Sequence, residues 1–150
     1  MAIYFYKQYG ELGYLANYSS HGFELDGKYW PTVEHYYQAQ KFDDEELKEK
    51  IRLAETPKLA SAIGRDRNNK LRDNWEDVKR DIMLVGVLAK FRNHPDILQK
   101  LIDTGEEEII ENTDIDYYWG CGEKKTGRNE FGKILVKART ILRKEMEEIK

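Results

Sequence analysis

The segment that most constrains the fold is residues 75–93, WEDVKRDIMLVGVLAKFRN. Its apolar residues recur at helical spacing on two different sides. They are Val78, Ile82, Val85 and Ala89 on one face and Leu84, Leu88 and Phe91 near the other. A helix that is apolar over so wide an arc needs packing partners on both sides, so we predict that it is the central, buried helix. The 150 residues are enough to surround it in one domain, residues 1–150.

The other elements are predicted from capping and turn residues. Helices are expected over about residues 33–42, 43–55, 57–64 and 95–104, and over the apolar stripe of residues 131–149. Strands are expected at residues 3–6, 23–30 and 107–112, with Asp26–Gly27 as a hairpin turn. The fold class predicted is therefore α+β, a mostly helical single domain with a small antiparallel sheet or hairpin.

Composition excludes several classes of function. The net charge of −3 provides no overall attraction to nucleic acid. The longest apolar stretch, residues 82–89, is too short to cross a membrane, and residues 1–10 do not resemble a signal peptide. The single Cys121 suits a reducing cytosol, and three histidines without ligand spacing do not indicate a metal site. We expect a cytoplasmic protein without a membrane segment, a metal or a cofactor.

The segment WPTVEHYYQAQKF, residues 30–42, carries the first candidate chemistry. At about 100° per residue, Glu34, Gln38 and Lys41 lie within roughly 60° of one another on a helix. Glu34 and Lys41 are about 10 Å apart along the axis, so an acid and an amine can reach opposite ends of one small ligand. Alternatively, Glu34 complements the helix dipole and Lys41 is simply solvated.

Tyrosines are concentrated around the same segment. Eight of the ten lie within the first 37 residues, including Tyr37. A tyrosine ring stacks while its hydroxyl seeks a polar partner, so this crowding favours a pocket for a flat polar ligand. A tyrosine-rich core beneath the hairpin is the alternative.

The second dense segment is DIDYYWGCGEKKTGRNEFG, residues 114–132. It is rich in glycine, precedes a predicted helix and carries Lys124, Lys125 and Arg128, which are candidates to hold a phosphate. It matches neither a P-loop nor a dinucleotide-binding fingerprint. A solvated basic loop is the alternative, and Cys121 is expected to be packed rather than nucleophilic.

These segments, in this order, resemble the NADAR family of YbiA-like N-glycosidases. The resemblance is carried by GELGYLANYSS, LDGKYWPTVEHYYQAQKF, DNWEDVKRDIM and IIENTDIDYYWGCGEKKTGRNEFGKILVKAR, and it covers nearly the whole chain. The family's marker positions are occupied by Asn17, Glu34, Lys41, Trp75, Asp116, Trp119, Gly120, Gly122, Asn129 and Gly132. One departure is LANY at residues 15–18, where many relatives have Ser-Asn-Phe.

The resemblance implies cleavage of the bond between ribose C1 and a nitrogen. The implied substrates are phosphorylated ribosylamino-pyrimidines of riboflavin synthesis, or ADP-ribose attached to guanine, with nucleic acid entering only as the carrier of that guanine. The implied catalytic residues are Glu34, Lys41 and Asp116. The resemblance and the two dense segments together predict the substrate-binding residues Asn17, Tyr37, Gln38, Trp75, Trp119, Gly120, Gly122, Lys124, Arg128 and Asn129.

Two other classes of function stay open from the sequence. A nucleotide or ADP-ribose binding module without turnover would keep the tryptophans and the basic loop, but it would not need Glu34 together with Lys41. A helical interaction scaffold would instead show an exposed apolar patch.

Overall fold

The computed structural model describes residues 2–149. The chain forms two compact units: a middle unit, residues 17–93, and a terminal unit, residues 2–16 with 94–149. The helices are α1 Val33–Ala39, α2 Glu45–Arg52, α3 Pro57–Gly64, α4 Trp75–Arg92, α5 Pro95–Asp103 and α6 Glu130–Ile149. The strands are β1 Ala2–Phe5, β2 Phe23–Leu25, β3 Lys28–Trp30 and β4 Glu108–Glu111. The predicted α+β class is confirmed, and one domain over residues 1–150 stays a prediction.

The middle unit begins with the predicted hairpin. β2 and β3 pair antiparallel, with Phe23 opposite Trp30. Asp26 and Gly27 connect them with φ values of 54° and 79°. Two successive positive φ values define the tight turn whose twist matches a hairpin, and Asp-Gly is a favoured pair for it. The hairpin prediction is confirmed.

Helix α1 starts where the sequence predicts and ends earlier. The Thr32 hydroxyl accepts the N–H of His35 at 3.1 Å and caps the helix. The helix ends at Ala39 rather than near residue 42, and Lys41 lies in the turn that follows it. The reason is that Asp44 caps α2 by accepting two backbone N–H groups, so the chain must leave helical geometry before it.

Helix α4 is confirmed over almost the whole predicted range, but one predicted buried face is wrong in part. Met83 and Val87 are buried, whereas Val85 is 42% exposed. Val85 lies about 160° around the helix from Val87, because each residue advances the helix by about 100°. Gly86 faces α1, where an added Cβ would come within 3.0 Å of the Tyr36 ring. Close packing of the two helices therefore selects the buried side.

The terminal unit contains a strand pair that was not predicted as a pair. β1 and β4 run parallel, with Ala2 opposite Glu108 and Phe5 opposite Glu111. Both strands were expected from the sequence, but the only sheet expected was antiparallel. Helix α6 covers β4 with the predicted apolar stripe, and its buried members include Phe131, Ile134, Leu135, Ala138 and Leu142.

Candidate active site

The middle unit holds a buried carboxyl group whose two oxygens are both hydrogen-bonded. Glu34 is 3% exposed in the first turn of α1. Its Oε1 accepts from Nδ2 of Asn17 at 2.6 Å, and its Oε2 accepts from Nε2 of Gln38 at 2.9 Å. Two donors on opposite oxygens fix the plane of the carboxyl group, as a catalytic acid requires.

Burial raises the pKa of Glu34 above its ordinary value. Loss of hydration disfavours the charged form, while Gln38, the Ser61 hydroxyl and the positive charges of Arg65 and Lys41 oppose the shift. The Ser61 hydroxyl faces the carboxyl group without a well-aligned hydrogen bond. Glu34 therefore keeps its proton to a higher pH than an exposed glutamate does.

Lys41 shows the opposite shift beside it. Its Nζ lies 3.5 Å from the carbonyl oxygen of Gly64 and 5.7 Å from the centre of the Tyr37 ring. Burial first, and then repulsion from Arg65 and Lys79, lowers the pKa of Lys41 to about 8, although Glu34 opposes this. An amine with such a pKa is partly neutral near physiological pH, and a neutral amine is nucleophilic.

Tyr37 and Trp75 pack against each other next to this pair. Their ring centres are 5.1 Å apart with a 58° angle between the planes, and both side chains are buried. The predicted stacking of Trp75 on a base stays a prediction. In this structure its described ring contact is with Tyr37.

Sequence reasoning missed the residues of α3 that complete this group. Gly64 is the last residue of the helix predicted over residues 57–64, and an added Cβ there would collide with the Gln38 side chain. Ser61 lies one turn earlier and is buried on the same side of α3. A small residue and a hydroxyl three positions apart were the available signal, because residues at that spacing share a helix face.

In the terminal unit, Asp116 organises the loop that precedes α6. Its Oδ1 accepts the backbone N–H groups of Tyr118 and Trp119 at 2.9 and 2.8 Å. The Trp119 ring meets the Tyr118 ring edge-on, with 4.8 Å between their centres. Asp116 is half-buried, and its catalytic role stays a prediction.

Gly120 and Gly122 allow neighbouring side chains to pack directly against the backbone of this loop. An added Cβ on Gly120 would collide with the Thr113 side chain and lie 2.8 Å from the Glu111 carbonyl oxygen. Gly122 has a φ of 72° and faces the Tyr117 ring. Both glycines are needed for the loop to fold, and their contact with substrate stays a prediction.

Two of the three basic loop residues already have partners. Lys125 donates to Oδ1 of Asn112 at 2.9 Å, and Arg128 pairs with Glu130 at 3.3 Å. Lys124 is exposed. Their role in holding a phosphate stays a prediction.

The Asn129 side chain is hydrogen-bonded to the backbone of β4. Its Oδ1 accepts the N–H of Glu111 and its Nδ2 donates to the carbonyl of Ile109, both at 2.9 Å. Its φ of 51° lies in the left-handed region that asparagine tolerates best among non-glycine residues. The structure thus gives Asn129 a structural function, while the predicted substrate contact stays untested.

Chemically, the middle unit brings together an acid whose pKa is raised and an amine whose pKa is lowered. Such opposed shifts of neighbouring groups are typical of enzymes that use acid–base or nucleophilic chemistry. Among residues 2–149, no helix is long and apolar enough to span a bilayer, and no group of three His, Cys, Asp or Glu side chains is placed to hold a metal ion.

Comparison with known proteins identifies a matching family and several relatives of this chain. A family model described as NADAR domain matches residues 4–143. An N-glycosidase of Nostoc punctiforme is 45% identical over 146 residues, covering 95% of this chain and 94% of that protein. The N-glycosidase YbiA of Escherichia coli is 41% identical over 140 residues, covering 93% and 88%.

The fold agrees with the sequence comparison. The NMR structure of E. coli YbiA matches with a TM-score of 0.92 at 40% identity, covering 98% of this chain and 88% of that one. A Vibrio vulnificus protein named as a riboflavin biosynthesis protein is 38% identical over 146 residues, which are 97% of this chain but 39% of that protein. The chain belongs to the NADAR family, and the resemblance predicted from its motifs is confirmed.

Proposed function

We propose that this chain is an N-glycosidase, a hydrolase that cleaves the ribose C1–N bond of a phosphorylated ribosylamino-pyrimidine. The observation that carries the proposal is the buried Glu34 carboxyl group, fixed by Asn17 and Gln38, with the amine of Lys41 close enough to influence its pKa. The names of the bacterial N-glycosidases support the reaction, and the riboflavin-related name of the Vibrio relative supports the class of substrate.

Glu34 has the properties that the departing base requires. Cleavage of C1–N leaves positive charge on the sugar and requires a proton on the leaving nitrogen. The raised pKa of Glu34 favours its protonated form, which can donate a proton to that nitrogen. The carboxylate that results stabilises the charged sugar and then takes a proton from the water that adds to C1.

Lys41 has two roles open to it in this reaction. As a neutral amine, its Nζ attacks C1 while the base leaves with the Glu34 proton. The ring then opens to an imine, and water hydrolyses the imine and restores the amine. As a cation, Lys41 orients the sugar without forming a bond. The pKa of about 8 makes the neutral amine accessible and so favours the first role.

Two residues of the loop before α6, Asp116 and Trp119, have separate proposed roles. Asp116 is proposed to provide a second carboxylate, and Trp119 to stack on the base. Each role is tested by its own substitution, Asp116→Asn and Trp119→Ala. Loss of turnover is expected for the first, and weaker substrate binding for the second.

Release of a free base is the decisive measurement. The purified protein is incubated with the ribosylamino-pyrimidine phosphate and, separately, with ADP-ribosylated guanosine, and products are separated by chromatography. Release of the pyrimidine, absent in Glu34→Gln, supports the proposal. Release of guanosine from the second compound without release of the pyrimidine from the first would show that the substrate belongs to the ADP-ribosyl class. Binding of either compound without release would identify a nucleotide or ADP-ribose binding module and refute the proposal.

A further inference from the structure

Two other positive charges of the middle unit, those of Arg65 and Lys79, act on Lys41. Arg65 directly follows Gly64, whose carbonyl oxygen lies 3.5 Å from Nζ of Lys41. The Arg65 guanidinium is close enough to lower the pKa values of both Glu34 and Lys41. Arg65 is exposed, and among residues 2–149 no hydrogen bond or salt bridge holds its guanidinium.

Lys79 adds a second cation from another helix. It lies one turn beyond Trp75 on α4, and Trp75 packs on the Tyr37 ring that Lys41 also contacts. The Lys79 side chain is 15% exposed, and its Nζ contacts Oε1 of Glu76 at 2.7 Å. Its charge is among those that lower the pKa of Lys41.

Arg65 and Lys79 each bring positive charge near Lys41 and lower its pKa. Glu34, the buried acid that interacts with Lys41, is the one whose burial favours its neutral form. Glu76 is a surface carboxylate with a 76% exposed side chain, so water screens it strongly. A ligand with two negative charges would relieve the repulsion. A phosphate monoester carries such a charge, and a guanidinium fork matches its oxygens.

We infer that Arg65, with Lys79 as the second cation, binds the phosphate group of the substrate beside Lys41. This inference rests on the proposed function and deepens it, because it assigns the recognition of a phosphorylated sugar to the end of α3. It also differs from the sequence-based expectation, which placed the phosphate on Lys124, Lys125 and Arg128. Lys125 contacts Asn112 and Arg128 contacts Glu130 at the start of α6, whereas no described hydrogen bond or salt bridge holds the Arg65 guanidinium.

The test compares each substrate with and without its phosphate. Arg65→Gln should raise KM for the phosphorylated compound by about 10- to 100-fold, the usual scale for one charge-assisted hydrogen-bonding group. The unphosphorylated nucleoside should show no change in KM. Lys79→Gln should act in the same direction with a smaller effect. Arg65→Lys, which keeps the charge but not the fork, should restore part of the difference.

The matched control is Arg67→Gln, because Arg67 is an exposed arginine two residues further along the same segment. It removes the same charge from the chain and should leave both KM values unchanged. Thermal unfolding of all variants checks that they fold. An unchanged KM in Arg65→Gln together with a raised KM in Lys124→Gln or Arg128→Gln would show that the loop binds the phosphate, and the inference would be wrong.

A binding measurement separates failure of this inference from failure of the proposed function. If the wild-type protein releases no base, the proposed function fails, and calorimetry with ribose 5-phosphate then tests the phosphate site alone. Binding by wild type and Arg67→Gln that is lost in Arg65→Gln supports the site. Equal binding by all three, or no binding by wild type, overturns it.

Discussion

Asn17 and Glu34 hold each other through two hydrogen bonds. Nδ2 of Asn17 donates to Oε1 of Glu34 at 2.6 Å, and the backbone N–H of Glu34 donates to the Asn17 carbonyl at 3.1 Å. The first N–H groups of a helix lack partners within the helix, so the Asn17 carbonyl satisfies one of them. The same residue thus positions the start of α1 and the carboxyl group that α1 carries.

Asn17→Ala should lower kcat by about 10- to 100-fold, because it removes a hydrogen bond that orients the acid. Asn17→Asp keeps the shape but replaces the donor with a second carboxylate, and it should lose at least as much activity. Steady-state kinetics of both variants checks this. Wild-type activity in Asn17→Asp would show that the Asn17 donor does not orient Glu34 for catalysis.

Glu34→Gln should lower turnover by about 10²–10⁴-fold, the usual scale for loss of a general acid–base group. Glutamine preserves the size of the side chain but cannot transfer a proton, so substrate binding should be largely retained. Rapid-quench measurement of the chemical step, together with calorimetric binding, distinguishes the two effects. Full activity of Glu34→Gln would show that Glu34 is not the proton donor.

The same substitution should change how stability depends on pH. The folded-state pKa of Glu34 is raised above its ordinary value of 4.5, so over the window between the two values the folded protein retains a proton that the unfolded chain has released. The free energy of unfolding therefore falls as pH rises through that window. Glutamine does not titrate, so the free energy of unfolding of Glu34→Gln should not show this fall.

Urea unfolding of both proteins at about pH 4, below the ordinary value, and at about pH 8 measures this difference. The free energy of unfolding of Glu34→Gln minus that of the wild type should increase from the lower pH to the higher. A difference that is equal at both pH values, or that decreases as pH rises, would show that the pKa of Glu34 is not raised.

Lys41→Arg should distinguish a covalent lysine from an orienting cation. Arginine keeps the positive charge but stays protonated near neutral pH and is not an effective nucleophile there. A covalent mechanism therefore predicts nearly complete loss of turnover. Borohydride added during turnover should trap an adduct on wild-type Lys41, seen by peptide mass spectrometry, and none in the variant. Full activity of Lys41→Arg would refute the covalent role.

The pH profile gives an independent check on Lys41. Its pKa of about 8 means that a reaction requiring the neutral amine should accelerate as pH rises through that value. A reaction requiring the cation should instead slow over the same range. The direction of the limb near pH 8 in kcat therefore decides between the two roles, and the limb should be absent in Lys41→Arg.

Asn129→Ala should destabilise the protein by about 2–4 kcal/mol, because it leaves two buried backbone groups of β4 without partners. Asn129→Asp retains the acceptor for Glu111 N–H but loses the donor to Ile109 C=O, and it also faces that carbonyl with a carboxylate. Chemical denaturation measures both. A loss of activity without a loss of stability in Asn129→Ala would instead favour the predicted contact with substrate.

Interactions between residues close together in the chain account for the local structure and the choice of candidate residues. The Asp26–Gly27 turn and the caps at Thr32 and Thr56 follow from interactions between residues at most three positions apart, and all three are found in the structure. The helical spacing of Glu34, Gln38 and Lys41 likewise identified an acid and an amine as one group. Their side chains do interact, although Lys41 lies just beyond the helix.

The chemical properties of those residues depend on contacts between separate elements. The spacing of Glu34 and Lys41 contains no information on hydration, yet burial is the main cause of both pKa shifts. Ser61 and Arg65, which also affect these pKa values, come from α3 and the residue after it, and they are distant in sequence from Glu34 and Lys41. The same holds for the parallel pairing of β1 with β4 and for the attachment of Asn129 to that strand. Desolvation and long-range contacts arise only when separate elements pack, so a pattern read along the chain cannot specify them.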